Sequence, residues 1–421
     1  MKAGVVAKTS PVIARQNFVV FFAIVYFSHG ISCGQFGLIA QPLQFFMMTG
    51  LKLNAAQVSS CMAVMMLPWV IKPVYGLFCD FVPFFGYRRK SYVVMGNAVA
   101  MLGFLVISFA STLNVVLAAL MFTAIGMAIS TALMVGLAVE QGRKDGKSRE
   151  YFAVQEFFYY GASIIAAFVG GLICQYCQPP VALHASAAAA VIPVTVVALL
   201  TALGLHETRA SVSRRSIRAT AVYLRRAFQS VQLRIVMTFS LLWCFCPAMG
   251  VPLYFFESNN LKFTQSEIGQ LGALNSVGML IGTVLYRQLM KRFSLSRQLL
   301  ATIALACLST LGYFWISSFA SAAMLELVRG AANIIVILSL YCLAAEFCPP
   351  RVEVTVMALL VAFRNVATDA STFVGGQLFT HLFHNQLRPL VIVSLIAPLL
   401  STLLMPLFFR SVVGSRQKID G

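Results

Sequence analysis

Residues 72–92 read KPVYGLFCDFVPFFGYRRKSY, a short charged turn that joins two long apolar stretches. The flanking stretches predict spanning helices, because about 20 mostly apolar residues are needed to cross a bilayer. Similar stretches recur along the whole chain. We predict about twelve spans, over 17–42, 54–78, 91–111, 113–139, 151–173, 181–204, 232–256, 265–287, 298–318, 320–346, 353–382 and 388–410.

Composition supports the same fold class. Of the 421 residues, 59% are hydrophobic and only 10% are charged. A soluble protein of this length has to cover its surface with polar side chains, and this chain has too few of them. The sequence therefore predicts an all-α, multi-pass integral membrane protein. A plasma or inner membrane is expected, with an organelle membrane as the alternative.

The formal net charge is +18, and the basic residues lie mainly on one side of the predicted spans. Most of the 31 Lys and Arg residues fall in the two tails and in loops on one side of the predicted spans, whereas the opposite loops hold only Lys52, Lys262 and Arg388. Basic loops face the cytoplasm in membrane proteins. Both termini are thus predicted to be cytoplasmic, and no nucleic-acid partner is expected.

The chain also repeats internally. Phe168-Val169-Gly170-Gly171 returns as Phe373-Val374-Gly375-Gly376, and Leu137-Ala138-Val139-Glu140 returns as Leu343-Ala344-Ala345-Glu346, both at an offset of 205–206 residues. Because this offset equals six spans, the two halves run in the same direction across the bilayer. We predict two parallel six-helix repeats in a major facilitator fold, which rock around a site near the midplane. The predicted units are bundles at 1–204 and 232–421, joined by a basic cytoplasmic linker at 205–231, in a monomer.

The turn at 72–92 carries the most specific motif. Major facilitator proteins often have a G-x-x-x-D…G-(R/K)-(R/K) turn, and its parts here are Gly76, Asp80, Gly86, Arg88 and Arg89. The longer Asp-to-Gly stretch, with KP-x-YG ahead and P-x-x-GYRR behind, resembles the folate-biopterin transporter family. Residues 255–282 and the following LYRQLMKRFSL are similar to that family's seventh and eighth spans. Cys79 and Lys90 differ from the Ser and Arg expected there. The resemblance implies proton-linked uptake of folate or pterin-type solutes.

The motif is interpreted as a cytoplasmic gate. Gly76 would allow close helix contact, and Asp80 would pair with a neighbouring arginine or cap a helix across the bundle interface. Glu140 and Glu346 are predicted at the same membrane level. The gate residues are Gly76, Asp80, Arg88, Arg89, Glu140 and Glu346. The alternative is a turn whose basic residues only determine topology.

Ionisable residues inside the spans indicate a substrate site, since charges in hydrocarbon are costly and usually functional. Arg329 and Arg364 are predicted near the midplane, and two guanidinium groups suit the two carboxylates of a folate glutamate. The predicted substrate-binding residues are Arg329, Arg364, Asn275, Asn365 and Gln35. Tyr159 and Tyr160, beside Glu156, would stack on a pterin ring or belong to an interfacial belt. Lys72 is predicted to snorkel or to join the gate.

Coupling to protons is predicted through Asp369, Glu326 and His29. Glu326 and Arg329 are spaced to pair on one helix face, which leaves a purely structural pair as the alternative. Arg364 and Asp369 are about 140° apart around their helix, so they are not expected to satisfy each other. No phosphate-binding G-x-x-x-x-G-K-[ST] motif occurs, so an ion or substrate gradient would supply the energy. Paired Gly and Pro residues in spans one and seven are predicted to interrupt the helices along the transport pathway.

Other functions remain as alternatives. A different solute, for example S-adenosylmethionine, would shift the weight from the arginines to Asp369 and Glu326. A channel would not need alternating access. A membrane enzyme would need a catalytic cluster, and no H-E-x-x-H or G-x-S-x-G motif is present. We expect no enzyme activity, no cofactor and no metal; Cys174 and Cys177 lack the second pair that a zinc site would require.

Overall fold

The computed structural model describes residues 17–33, 36–209, 229, 231–292, 295–347, 353–404 and 406. The helices of the N-terminal half are α1 Phe18–Ser32, α2 Ala40–Phe45, α3 Ala55–Val70, α4 Lys72–Phe81, α5 Lys90–Ile107, α6 Leu113–Asp145, α7 Ser148–Tyr176 and α8 Pro179–Gly204. Those of the C-terminal half are α9 Val231–Cys244, α10 Val251–Asn259, α11 Gln265–Arg292, α12 Leu295–Leu311, α13 Phe319–Phe347, α14 Glu353–Gln377 and α15 Leu387–Ser401.

Every predicted span coincides with one helix or with two consecutive helices. Among the described residues, eight helices are long and apolar enough to cross a membrane, and three shorter apolar helices accompany them. The all-α membrane fold class is therefore confirmed. The count of twelve crossings and the cytoplasmic location of the termini stay predictions.

Helix breaks occur where Gly and Pro cluster. Between α9 and α10, Pro247 lacks a backbone donor and Gly250 has φ of 75°, a left-handed conformation that only glycine adopts at little cost. The first span is likewise divided between Ser32 and Ala40. The predicted interruptions of spans one and seven are thus present as breaks, with Gly34 outside the described residues.

The two halves repeat a turn that sequence comparison did not reveal. Residues 51–57, LKLNAAQ, and 261–267, LKFTQSE, both place a lysine at positive φ, 55° at Lys52 and 58° at Lys262. Each turn ends in a reciprocal capping arrangement, between Asn54 and Gln57 and between Thr264 and Glu267. The same local structure therefore opens the second span of each half, at an offset of 210 residues.

Two ends of the bundle differ in packing. We call the end that carries the turns 51–54, 177–178 and 261–264 the outer face, and the end that carries 82–89 and 146–147 the inner face. At the outer face one hydrophobic core runs through both halves and joins residues such as Met47 and Val58 to Ala248 and Phe379. Toward the inner face the halves have separate cores, around Met134 in one and Leu340 in the other. Among the described residues, a shared core therefore closes the outer face, whereas the cores nearest the inner face belong to one half each.

Candidate functional site

The repeated F-V-G-G motif forms the closure at the outer face. A Cβ on Gly171 of α7 would lie 2.7 Å from the Cα of Gly269 on α11, closer than carbon atoms approach in real structures. In the other half, a Cβ on Gly376 of α14 would collide with the Ser59 side chain of α3. Each half thus lays one copy of the motif against a helix of the opposite half. Glycine is required at these positions because the backbone of Gly171 touches backbone of α11, and the backbone of Gly376 touches both Ser59 and the backbone oxygen of Ala55.

Hydrogen bonds between the halves reinforce this closure. Gln41 Nε2 donates to the backbone oxygen of Gln265 at 2.7 Å, and Thr380 Oγ1 accepts from the backbone N–H of Ala56 at 3.0 Å. Farther inward, Asn365 Nδ2 donates to the backbone oxygen of Trp69 at 2.9 Å. The amide of Asn365, predicted to bind substrate, holds the two halves together in this state.

Toward the inner face, two glycines lie beside open space. An added Cβ on Gly76 of α4 or on Gly161 of α7 would meet no atom within 4 Å. The expectation that Gly76 permits a close helix contact is therefore wrong for this conformation. The reason is local: the start of α4 approaches the opposite half, where Lys72 lies near Arg364, but the backbone of Gly76 faces a gap between the described residues.

Three charged residues converge between the halves, and we call Lys72, Glu156 and Arg364 the central charged cluster. Lys72 and Glu156 belong to the N-terminal half and Arg364 to the C-terminal half. Arg364 acts electrostatically on both of the others. All three side chains are partly exposed. Two cations thus share this space with a single carboxylate.

Aromatic side chains surround the central charged cluster. Lys72 Nζ lies 4.3 Å from the centroid of the Trp69 ring, which is a favourable cation–π distance. Arg364 Nη1 donates to Tyr341 Oη at 3.3 Å, and the Tyr160 hydroxyl bonds to Glu156. The site therefore combines positive charge with flat apolar faces. Sequence reasoning missed the role of Lys72 here, although an intramembrane lysine is itself a signal of a functional site.

A second polar group lies around Glu326. Its carboxylate accepts hydrogen bonds from Tyr313 Oη at 2.6 Å, from Asn275 Nδ2 at 2.9 Å and from Arg329 Nε at 3.2 Å. The predicted pairing of Glu326 with Arg329 is present, and Asn275 joins it. Arg329 and Asn275 are thus engaged by a protein carboxylate in this state, as the structural-pair alternative describes.

A cavity of about 100 Å³ lies beside this pair, between the halves. The polar and charged side chains in its lining are Gln41, Gln44, Tyr254, Glu257, Glu326 and Arg329. We call it the outer cavity. Glu257 was not considered from the sequence, because a lone glutamate near a helix end has no distinguishing pattern.

The remaining predicted residues have separate surroundings. His29 is buried and its Nε2 lies 3.1 Å from Ser130 Oγ, while Nδ1 has no hydrogen-bond partner in the part of the chain that the structure describes. Asp369 has a buried Oδ2 that lacks a hydrogen-bond partner among the described residues. Arg364 donates to Tyr341, which agrees with the expectation that Arg364 and Asp369 do not satisfy each other. Gln35 lies outside the described residues. The proton-carrying roles of His29, Asp369 and Glu326 stay predictions.

The predicted gate at the inner face is described in part. Arg89 Nη1 and Glu140 Oε2 form an ion pair at 3.0 Å, and Lys144 Nζ lies 2.9 Å from the other oxygen of Glu140. These contacts are all within the N-terminal half. The side chains of Asp80 and Glu346 lie outside the described residues, so a latch between the halves stays a prediction.

Glu207 holds the turn at the start of α5. Its carboxylate accepts hydrogen bonds from the backbone N–H groups of Arg88, Arg89 and Lys90 at 2.8–3.2 Å. A carboxylate at a helix N-terminus both satisfies free donors and complements the helix dipole. The first residues of the predicted linker therefore pack on the N-terminal half, which sequence reasoning missed.

Replacing Glu207 with alanine is expected to cost about 1–2 kcal/mol of stability, since three backbone donors lose their acceptor. Thermal unfolding in detergent should show a lower Tm. Glu150→Ala is the matched control, because the contact described for Glu150 is an exposed ion pair with Lys147, and such a pair contributes little. Equal Tm values for the two variants would contradict the capping role.

Comparisons with known proteins agree with this architecture. A family model described as the BT1 family matches residues 34–419. The folate-biopterin transporter of Synechocystis sp. is 24% identical over 94% of this chain and 82% of its own length. Folate transporter 2 of Plasmodium falciparum is 25% identical over 83% of this chain and 78% of its own length.

Solved structures show the fold. A D-xylose-proton symporter superimposes with a TM-score of 0.70 at 15% identity, covering 92% of this chain and 96% of the symporter. A nucleoside transporter superimposes with a TM-score of 0.68 at 14% identity, covering 94% and 98% of the two chains. These neighbours confirm the major facilitator fold. The family match extends over most of the sequence, and the protein belongs to the BT1 family.

Proposed function

We propose that this protein is a secondary active transporter that moves folate or pterin-type solutes across a membrane by alternating access. The observation that carries the proposal is the central charged cluster, in which Lys72 and Arg364 come from opposite halves. Two cations in one site of low dielectric repel each other. A ligand with two carboxylates cancels this repulsion and bridges the halves, so its binding is linked to their relative position.

The surroundings of the cluster suit the rest of a folate. Trp69 and the tyrosines 159, 160 and 341 offer flat faces on which a pterin ring can stack, and Glu156 can accept a hydrogen bond from an amino group. S-adenosylmethionine is less well matched, because the described cluster has two cations for one carboxylate. The similarity to a folate-biopterin transporter and to a folate transporter supports the same choice.

The state of the protein supports alternating access. The outer face is closed by glycine contacts and the inner face is separated, which corresponds to an inward-facing conformation if the charge distribution sets the orientation. Rocking of the two halves would exchange these states. We infer that protons drive the cycle and that the monomer is the functional unit, since the moving interface lies within one chain.

Uptake by purified protein in proteoliposomes tests the proposal. Labelled folate, biopterin and S-adenosylmethionine are supplied with and without an imposed pH gradient, and protein-free liposomes are the control. We expect saturable folate or biopterin uptake that increases when the outside is acidic. Stimulation by unlabelled solute on the opposite side would exclude a channel. Absence of folate and biopterin uptake under all conditions would contradict the proposal.

A further inference from the structure

We propose that Glu257 binds the coupled proton, in the outer cavity between the two halves. The inference rests on the proposed function as a gradient-driven transporter and names a residue for its coupling step. Glu257 is on α10 and is 5% exposed. The outer cavity it lines has a volume of about 100 Å³. That space is large enough to hold water molecules beside the carboxyl group.

The charges around Glu257 leave it without a cation of its own. Glu326 and Arg329 face it from α13, and Tyr313 faces it from the turn after α12. Arg329 is the only cation lining the outer cavity among the described residues, and Glu326 binds it through direct hydrogen bonds. Burying an unpaired carboxylate costs several kcal/mol. A proton on Glu257 removes this cost.

The amide side chains of the outer cavity agree with a neutral Glu257. Gln41 of α2 donates to Gln265 of α11, and Tyr254 on the same helix as Glu257 also donates to Gln265. Gln44 Oε1, by contrast, is buried and has no hydrogen-bond partner among the described residues. An unpaired acceptor favours a donor in the cavity. A protonated carboxyl group supplies one, directly or through a water molecule, whereas a carboxylate does not.

The internal repeat shows that the fold does not need this carboxyl group. In the C-terminal half, the backbone oxygen of Glu257 accepts from the N–H of Phe263 at 3.0 Å. In the N-terminal half, the backbone oxygen of Met47 accepts from the N–H of Leu53 at 3.0 Å in the equivalent turn. Met47 is fully buried. The turn thus uses only the backbone at this position, and an apolar side chain fills it equally well.

The location of Glu257 links its proton to the movement of the halves. Residue 257 follows the helix break at Gly250, so α10 can tilt relative to α9. If Glu257 loses its proton, it repels Glu326 and competes for Arg329. This repulsion acts beside the Gln41–Gln265 contact between the halves. A neutral Glu257 therefore permits closure of the outer face, and a charged Glu257 disfavours it.

Glu257→Gln tests the inference, because glutamine has nearly the same shape and cannot ionise. We expect accumulation driven by a pH gradient to fall by about tenfold or more, while exchange of labelled for unlabelled solute at equal pH stays within about twofold of wild type, since exchange needs no net proton movement. Glu257→Asp keeps a titratable group and should recover part of the driven uptake. Glu267→Gln is the matched control, because it replaces a half-buried glutamate outside the outer cavity whose cap a glutamine preserves.

Two further measurements make the outcome decisive. The infrared spectrum of each variant at neutral pH is subtracted from that of the wild-type protein. The carbonyl band of a protonated carboxyl group should be missing from Glu257→Gln and present in Glu267→Gln. This band reports on Glu257 even if no solute is transported, so failure of the proposed function and failure of this inference are distinguishable. Replacing Na⁺ with choline should leave driven uptake unchanged. A pH-driven accumulation in Glu257→Gln equal to wild type, an unchanged carbonyl band or a strict Na⁺ requirement would each overturn the inference.

Discussion

Uptake of folate is expected to fall by at least about 30-fold when Arg364 is replaced with glutamine, because loss of one partner of a desolvated charge pair costs about 2–5 kcal/mol, and each 1.4 kcal/mol is about tenfold. Arg364→Lys should retain only part of the wild-type uptake. An ammonium group lacks the planar pair of N–H donors with which a guanidinium group binds both oxygens of a carboxylate. Lys72→Gln is also expected to weaken folate uptake, through a higher KM for folate. Initial rates in proteoliposomes over a range of substrate concentrations provide the measurement.

The comparison between substrates makes this prediction specific. Biopterin has no glutamate tail, so its uptake should be reduced much less by the same changes. Arg388→Gln serves as the control for loss of an arginine, because residue 388 is exposed beside the outer face. If Arg364→Gln impairs folate and biopterin equally, the guanidinium group does not recognise the carboxylates.

Gly171→Ala is expected to hold the outer face open and to abolish most transport. The added Cβ would lie 2.7 Å from Gly269 Cα and 2.9 Å from the backbone oxygen of Gln265, neither of which can rotate away. Overpacking of this kind costs about 1–3 kcal/mol, and 1.4 kcal/mol changes a conformational equilibrium about tenfold. The cost falls only on the closed state, in which α7 and α11 touch.

Gly161→Ala is the matched control on the same helix, because its Cβ would meet no atom within 4 Å. Alanine is the better helix former by about 1 kcal/mol, so lost transport in Gly171→Ala would not arise from unfolding of α7. Spin labels at the exposed positions Tyr176 and Lys262 should report a longer distance across the outer face in Gly171→Ala only. An unchanged distance together with normal uptake would show that the glycine contact does not govern closure.

Much of the fold could be predicted from the sequence because its signals are local. Apolar stretches identified the spans, since the length needed to cross a bilayer is a property of one segment. Pro247 and Gly250 predicted the break in the seventh span for the same reason. The pairing of Glu326 with Arg329 follows from a spacing of three residues on one helix. The turn at 72–92 indicated the family before any contact between helices was known.

Contacts between distant segments were decided by tertiary structure. Lys72 and Arg364 face each other only because two helices from opposite halves pack at that level, and sequence spacing does not determine which faces of separate helices meet. Glu207 binds the start of α5 across more than a hundred residues. Gly76 was expected to make a close contact, yet an added Cβ there would meet no atom within 4 Å, because the described helices around α4 leave a gap at this position.

The F-V-G-G repeat separates what the sequence determined from what only the tertiary structure decided. The sequence by itself determined that the two copies are equivalent, because they recur at one offset in corresponding spans. Only the tertiary structure decided that each copy packs on the opposite half and closes the outer face. Glycine has no side chain with which to indicate a partner, so its role becomes visible only when the backbone it approaches is in place.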